Sequence, residues 1–96
     1  MIEVRKTELF ARWFTSLKDR KAIARIQARI DRMEMGDFGD IASVGEGVSE
    51  LRIFCWPGYR VYFVKHDSVV VILLSGGDES SQQRDIARAK EIAKQL

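Results

Sequence analysis

The stretch that most constrains this chain is Val48 to Asp78, VSELRIFCWPGYRVYFVKHDSVVVILLSGGD. It holds three β-type runs, two turn signals between them and a closing glycine pair. Ser49 to Trp56 alternates, Pro57-Gly58 marks a turn, and Tyr59 to Lys65 alternates again. His66-Asp67-Ser68 supplies the next turn. Val69 to Leu74 is an unbroken apolar run. Such a run predicts an interior strand covered on both faces, so the third strand is expected to be central in the sheet.

Alternation sorts the side chains by face. Leu51, Ile53 and Cys55 fall together, opposite Glu50, Arg52 and Phe54. In the next strand Val61 and Phe63 fall together, opposite Arg60, Tyr62 and Val64. If the apolar sets face the core, Arg52 and Arg60 share the other face with Tyr62 and Glu50. Two guanidinium forks on one sheet face suit phosphate oxygens, which they grip in pairs. The same residues also describe a surface face with a Glu50–Arg52 or Glu50–Arg60 ion pair, and alternation does not choose.

The rest of the chain reads as helices around that sheet. MIEVRK alternates and predicts a first strand. Thr7 is placed to cap a short helix whose apolar face is Phe10, Trp13, Phe14 and Leu17. Asp19 is the N-cap of a second helix running to about Glu34 or Met35, with Ile23, Ile26, Ile30 and Met33 as its buried stripe. Gly36 is placed to end it. Lys21, Arg25, Arg29 and Arg32 line another face of this helix, as a ridge for an RNA backbone or an acidic partner, or as a solvated face. Residues 36–48 (GDFGDIASVGEGV) read as a loop pinned by Ile41 and Val44. After the glycine pair, Ser80 and Gln83 read as a capping box for a last helix. The predicted fold is therefore α+β: an antiparallel sheet of about four strands, covered on one face by an N-terminal helical hairpin, with a C-terminal helix. The opposite face, carrying Arg52, Arg60 and Tyr62, is expected to be bare.

Size and composition narrow the function classes. Ninety-six residues with 46% hydrophobic content suit one domain spanning 1–96. A single cysteine excludes an internal disulfide and, with no secretory signal and no apolar run of membrane-spanning length, predicts a cytoplasmic protein with no membrane partner. Cys55 alternates with core positions and reads as a buried thiol. Net charge is +2, unevenly spread: residues 1–35 hold nine bases and five acids, and residues 36–50 hold four acids and no base. One His and one Cys exclude a familiar zinc site, and no phosphate-binding glycine loop with Lys-Ser/Thr is present. Phosphate chemistry without metal or cofactor remains. Cleaving RNA through its own 2′-hydroxyl requires withdrawing that proton, stabilising the phosphorane and protonating the 5′ oxygen. Arginines suit the second task. Lys65, His66, Asp78, Glu79 and Asp85 are the titratable candidates for the others.

These residues resemble a known family. Glu50-Leu51-Arg52, Pro57-Gly58-Tyr59-Arg60-Val61-Tyr62, Leu74-Ser75-Gly76-Gly77-Asp78 and Gln83-Arg84-Asp85-Ile86, in that order and spacing, are similar to the RelE/HigB superfamily of bacterial toxins. The resemblance is nearest to its phage-derived addiction module killer protein branch. It covers nearly the whole chain and implies a small toxin that cleaves mRNA on the translating ribosome without metal or cofactor. It also implies a cognate helix-turn-helix antitoxin that neutralises the toxin and represses the operon. The family's basic sheet residues correspond to Arg52 and Arg60, with Lys65 and Asp85 as the remaining catalytic candidates. Lys21, Arg25, Arg29, Arg32, Tyr62 and Arg84 are the RNA-contacting ones. Two departures stand out. Glu79 follows Gly-Gly-Asp where the branch commonly has Lys, and no Tyr or His occurs after His66. They leave open a second reading, a weakly active or inactive homologue that binds the antitoxin and tunes repression.

Overall fold

Thr7 and Asp19 start the two N-terminal helices as capping chemistry predicts. In a computed structural model, which describes residues 1–96, Thr7 Oγ1 accepts from the Phe10 N–H, and the Asp19 carboxylate accepts from the Lys21 and Ala22 N–H groups. The helices they open are α1 (Glu8–Ser16) and α2 (Arg20–Glu34). Gly36, at φ +87°, takes the left-handed position just beyond α2.

The strands are β1 (Glu3–Lys6), β2 (Ile41–Gly45), β3 (Val48–Arg52), β4 (Arg60–His66) and β5 (Val70–Gly77). They form one sheet in the order β1-β5-β4-β3-β2. A turn of 3₁₀ helix, Glu79–Ser81, leads into α3 (Gln82–Lys94). The sheet thus has five strands rather than four, and it is mixed, because β1 pairs parallel with β5. The apolar run Val69–Leu74 is an interior strand as expected, but β4 occupies the middle of the sheet.

The extra strand lies in the segment read as a loop. Ser43 pairs with Ser49 and Gly45 with Val48, around a two-residue turn whose members, Glu46 and Gly47, both have positive φ (55° and 80°). Those dihedrals match the right-handed twist of an antiparallel pair, so the turn drives the pairing where β-propensity is low. The strand predicted over Ser49 to Trp56 is also shorter than expected. It stops at Arg52, and Ile53–Tyr59 is a loop. The predicted capping box is displaced too: Asp78 caps the 3₁₀ turn, and α3 begins after Ser81 without a side-chain cap.

Helices cover both faces. On one, Phe10, Ile26, Ile30 and Met33 pack against Leu51, Val61, Phe63, Val71 and Leu73. On the other, α3 presses Ala89, Ile86 and Ile92 onto Val48, Tyr62, Val64 and Leu74. The face expected to be bare is therefore roofed by α3 over its middle, and only its end near Arg52 and Arg60 stays open. At Gly76, a Cβ atom would stand 2.2 Å from the Trp13 ring, so glycine there is what lets α1 seat on β5. No helix is long and apolar enough to cross a membrane.

Candidate functional site

The site begins with sheet register. Arg52 of β3 pairs directly with Arg60 of β4, so both side chains leave the same face as neighbours. Two rows away on that face, Glu50 lies almost fully buried, with a relative exposure of 1%. Its carboxylate holds both arginines at once. Arg52 Nε is 3.1 Å from Glu50 Oε2, and Arg60 Nε is 3.3 Å from Glu50 Oε1, the second as an ion pair without hydrogen-bond alignment. Gln82 of α3 donates from Nε2 to Glu50 Oε1 at 2.8 Å. The two ion pairs left as alternatives by alternation thus coexist.

The guanidiniums differ in freedom. The Arg60 side chain is 17% exposed, and its Nη1 donates to the Gly58 carbonyl at 2.8 Å. Arg52 is 46% exposed and also approaches Asp40, at 3.8 Å. Both line an open cleft of about 550 Å³ whose walls include Arg25, Asp40, Tyr59 and Glu79. Its floor and rim come from the loop Ile53–Gly58. Backbone bonds fix this loop: Ile53 N–H to Tyr59 O at 2.9 Å, Gly58 N–H to Cys55 O at 2.7 Å, and Glu79 N–H to Pro57 O at 3.4 Å. Arg25 Nη1 braces it from α2 by donating to Phe54 O at 2.8 Å. Inside this frame Ile53 points to the core, while Phe54 (95% exposed) and Trp56 (89% exposed) project into solvent.

The cleft's charge is mixed. Three guanidiniums meet the carboxylates of Asp40 and Glu79, with Glu50 beneath them. Tyr59 supplies the one phenol in the wall; its ring meets Trp13 edge-on at 6.2 Å. Burial, followed by the nearby Asp19, Asp78 and Cys55, holds the Tyr59 pKa above the usual phenol value, so it stays protonated at neutral pH.

Several predicted site residues lie elsewhere. Tyr62 is on the predicted face but fully buried under α3, so its ring presents nothing to a ligand. Its hydroxyl has no hydrogen-bond partner. Burial, then the Glu50 and Asp85 carboxylates, raises its pKa well above the ordinary value. Lys65 leaves the sheet on the opposite side from Arg60, its Nζ 4.0 Å from the centroid of the Phe38 ring. Strand parity therefore removes it from the arginine pair. Asp85 accepts from the Ser81 hydroxyl and packs where a Cβ on Gly77 would be; it does not line the cleft.

The α2 ridge divides. Arg29 is committed to backbone, donating to the carbonyls of Arg52, Phe38 (3.0 Å) and Asp40 (3.3 Å). Desolvation, then the like charge of Arg32, lowers its pKa. It pins residues 38–40 to the end of β3. Arg25 joins the cleft, and Arg32 lines a second groove that shares Arg25 and Phe54 with it. Lys21 is exposed in the first turn of α2. Arg84 is exposed at the start of α3, in a polar depression with Glu79. Sequence reasoning missed Phe54, Trp56, Tyr59, Asp40 and Gln82 as members of the site. The available signal was a pair of aromatics around Cys55 immediately before Pro57-Gly58.

No family model matches the chain. An uncharacterized protein from Haemophilus influenzae is 48% identical over 95 residues, covering 99% of this chain and 96% of that protein. Among solved structures, a mutant of the E. coli toxin RelE in the free state superposes with a TM-score of 0.66 at 15% identity, over 88% of this chain and 90% of that one. At that identity the likeness establishes a RelE-type fold.

Proposed function

We propose that this chain, which belongs to the family of the Haemophilus influenzae protein and has the RelE fold, is the toxin of a type II toxin–antitoxin pair of the HigB, addiction-module-killer kind. Its activity on this reading is metal-independent, ribosome-dependent cleavage of mRNA, which stops translation. A cognate helix-turn-helix antitoxin binds and silences it.

The observation that carries the reading is the pair Arg52 and Arg60, held side by side at a solvent-open cleft by one buried carboxylate. A phosphate entering the cleft meets two planar forks whose Nε atoms are already engaged from behind, which fixes where their outer nitrogens point. That arrangement favours the phosphorane, where negative charge accumulates, over the ground-state diester. For the proton transfers, the groups at the wall are the carboxylates of Asp40 and Glu79, as acceptors from the 2′-hydroxyl, and the protonated phenol of Tyr59, as donor to the departing 5′ oxygen.

Expression without any partner tests the reading. Growth should arrest, and messages should be cut while being translated. Arg60→Ala, verified as folded, should abolish both effects. Folded wild-type protein that neither slows growth nor cuts translated message would reject the enzymatic reading. A second reading, an antitoxin-binding module without catalysis, draws on the acids in the cleft wall and the absence of an imidazole there. It expects a stable antitoxin complex and no cutting.

A further inference from the structure

We infer that Phe54 and Trp56 form a platform for unpaired nucleobases, so that the cleft takes single-stranded RNA with bases stacked outward and phosphates turned toward Arg25, Arg52 and Arg60. This rests on the reading of the cleft as an RNA site and specifies what part of the RNA the rim recognises.

Phe54 and Trp56 are the two large aromatics that the fold leaves almost wholly in water, and they stand two residues apart on one loop. Their exposure is imposed rather than incidental. The loop is fastened at Ile53, Cys55, Pro57 and Gly58 by backbone bonds, and at Phe54 O by the Arg25 guanidinium. Ile53 is buried and Cys55 half-buried, while Phe54 and Trp56 stand outward on either side of Cys55. Aromatic faces held in place lose little entropy when a flat partner lands on them.

Charge selects the partner. Phe54 belongs both to the cleft with Arg52 and Arg60 and to the adjoining groove with Arg29 and Arg32, and Arg25 is common to the two. An open aromatic face between arginines matches the alternation of base and phosphate along a single strand. A duplex keeps its bases stacked on one another and offers no free face. An apolar protein surface needs a continuous apolar patch, whereas here the aromatics share the cleft with three guanidiniums and the carboxylates of Asp40 and Glu79. Stacking of this kind tolerates any base, so the platform supplies affinity and position and leaves choice of sequence to other contacts.

The test compares a short single-stranded RNA, 2′-O-methylated to block cleavage, with an abasic strand of the same length. Full-length wild-type protein should bind the base-bearing strand about tenfold or more tightly than the abasic one. Binding should quench tryptophan emission, since Trp56 is exposed while Trp13 packs against the core. Trp56→Leu should lose the quench, and Phe54→Leu with Trp56→Leu should bring the two strands to equal affinity. Arg60→Ala should weaken both strands alike. Equal wild-type affinity for the two strands overturns the platform while leaving the phosphate-binding cleft intact. Failure to bind either strand overturns both. A double leucine variant that keeps its preference for bases yet no longer binds the antitoxin would make this rim a protein-docking surface and overturn the inference.

Discussion

Removing the Glu50 carboxylate should cost stability far out of proportion to its size. The side chain is 2% exposed; it accepts from Arg52 Nε and Gln82 Nε2 and forms an ion pair with Arg60. Deleting one partner of a buried pair typically costs about 3–5 kcal/mol, because the other charge stays desolvated. Arg52, 46% exposed, can turn to water and to Asp40, so its share is small. Arg60, 17% exposed, has no other carboxylate within ion-pair range and carries most of the loss. Glu50→Ala is therefore expected to cost about 3 kcal/mol. A domain of this length has roughly 5–14 kcal/mol to lose, so the variant should still fold. Its melting temperature should drop by roughly 12–24 °C. Urea unfolding of Glu50→Ala, Arg60→Met and the double variant isolates the cause. The double variant should be about 1.5 kcal/mol or more better than the sum of the singles, because removing the arginine removes the orphaned charge. A Glu50→Ala loss below about 1 kcal/mol, or strict additivity, would refute the claim that this carboxylate is what holds the arginines.

Arg29→Met should lose about 2 kcal/mol in denaturant unfolding and open residues 36–40 to proteolysis, since three backbone carbonyls lose a charged donor. It should change RNA affinity less than Arg25→Met does. Tyr62→Phe should stay within about 1 kcal/mol of wild type at neutral pH, because the hydroxyl has no partner to lose. In wild type, the unfolded chain releases the Tyr62 proton near pH 10 while the folded chain retains it, so stability should fall as pH rises past about 10. Circular-dichroism melts across that range should show a smaller fall in Tyr62→Phe, with the remainder shared by Tyr59.

The starts of α1 and α2 and the strand faces were legible because they are local. Thr7, Asp19 and Gly36 act through their own backbone neighbours, and the shared face of Arg52 and Arg60 follows from the two-residue period. What lies on top of a face is not local. Tyr62 has the right parity for an open surface, but α3 is an amphipathic helix that the alternation rule cannot place. It folds back through Ala89 and Gln82 and buries the phenol. β2 went unseen because Ala42, Ser43 and Gly45 carry little strand signal, and the pairing comes from the Glu46-Gly47 turn. Phe54 and Trp56 were hidden by the premise that the strand ran on to Trp56. Its early end at Arg52 turns a strand face into a projecting rim.

The parallel pairing of the first strand has a consequence for how the molecule is made. Glu3 lies beside Val70, and the Thr7 hydroxyl bonds to the Leu74 carbonyl, 67 residues further along the chain. Glu50 likewise waits for Gln82. During synthesis, then, the opening segment has no sheet to join, and the paired guanidiniums lack their full support until the last helix has been translated. The paired guanidiniums are therefore among the last features of the molecule to be completed.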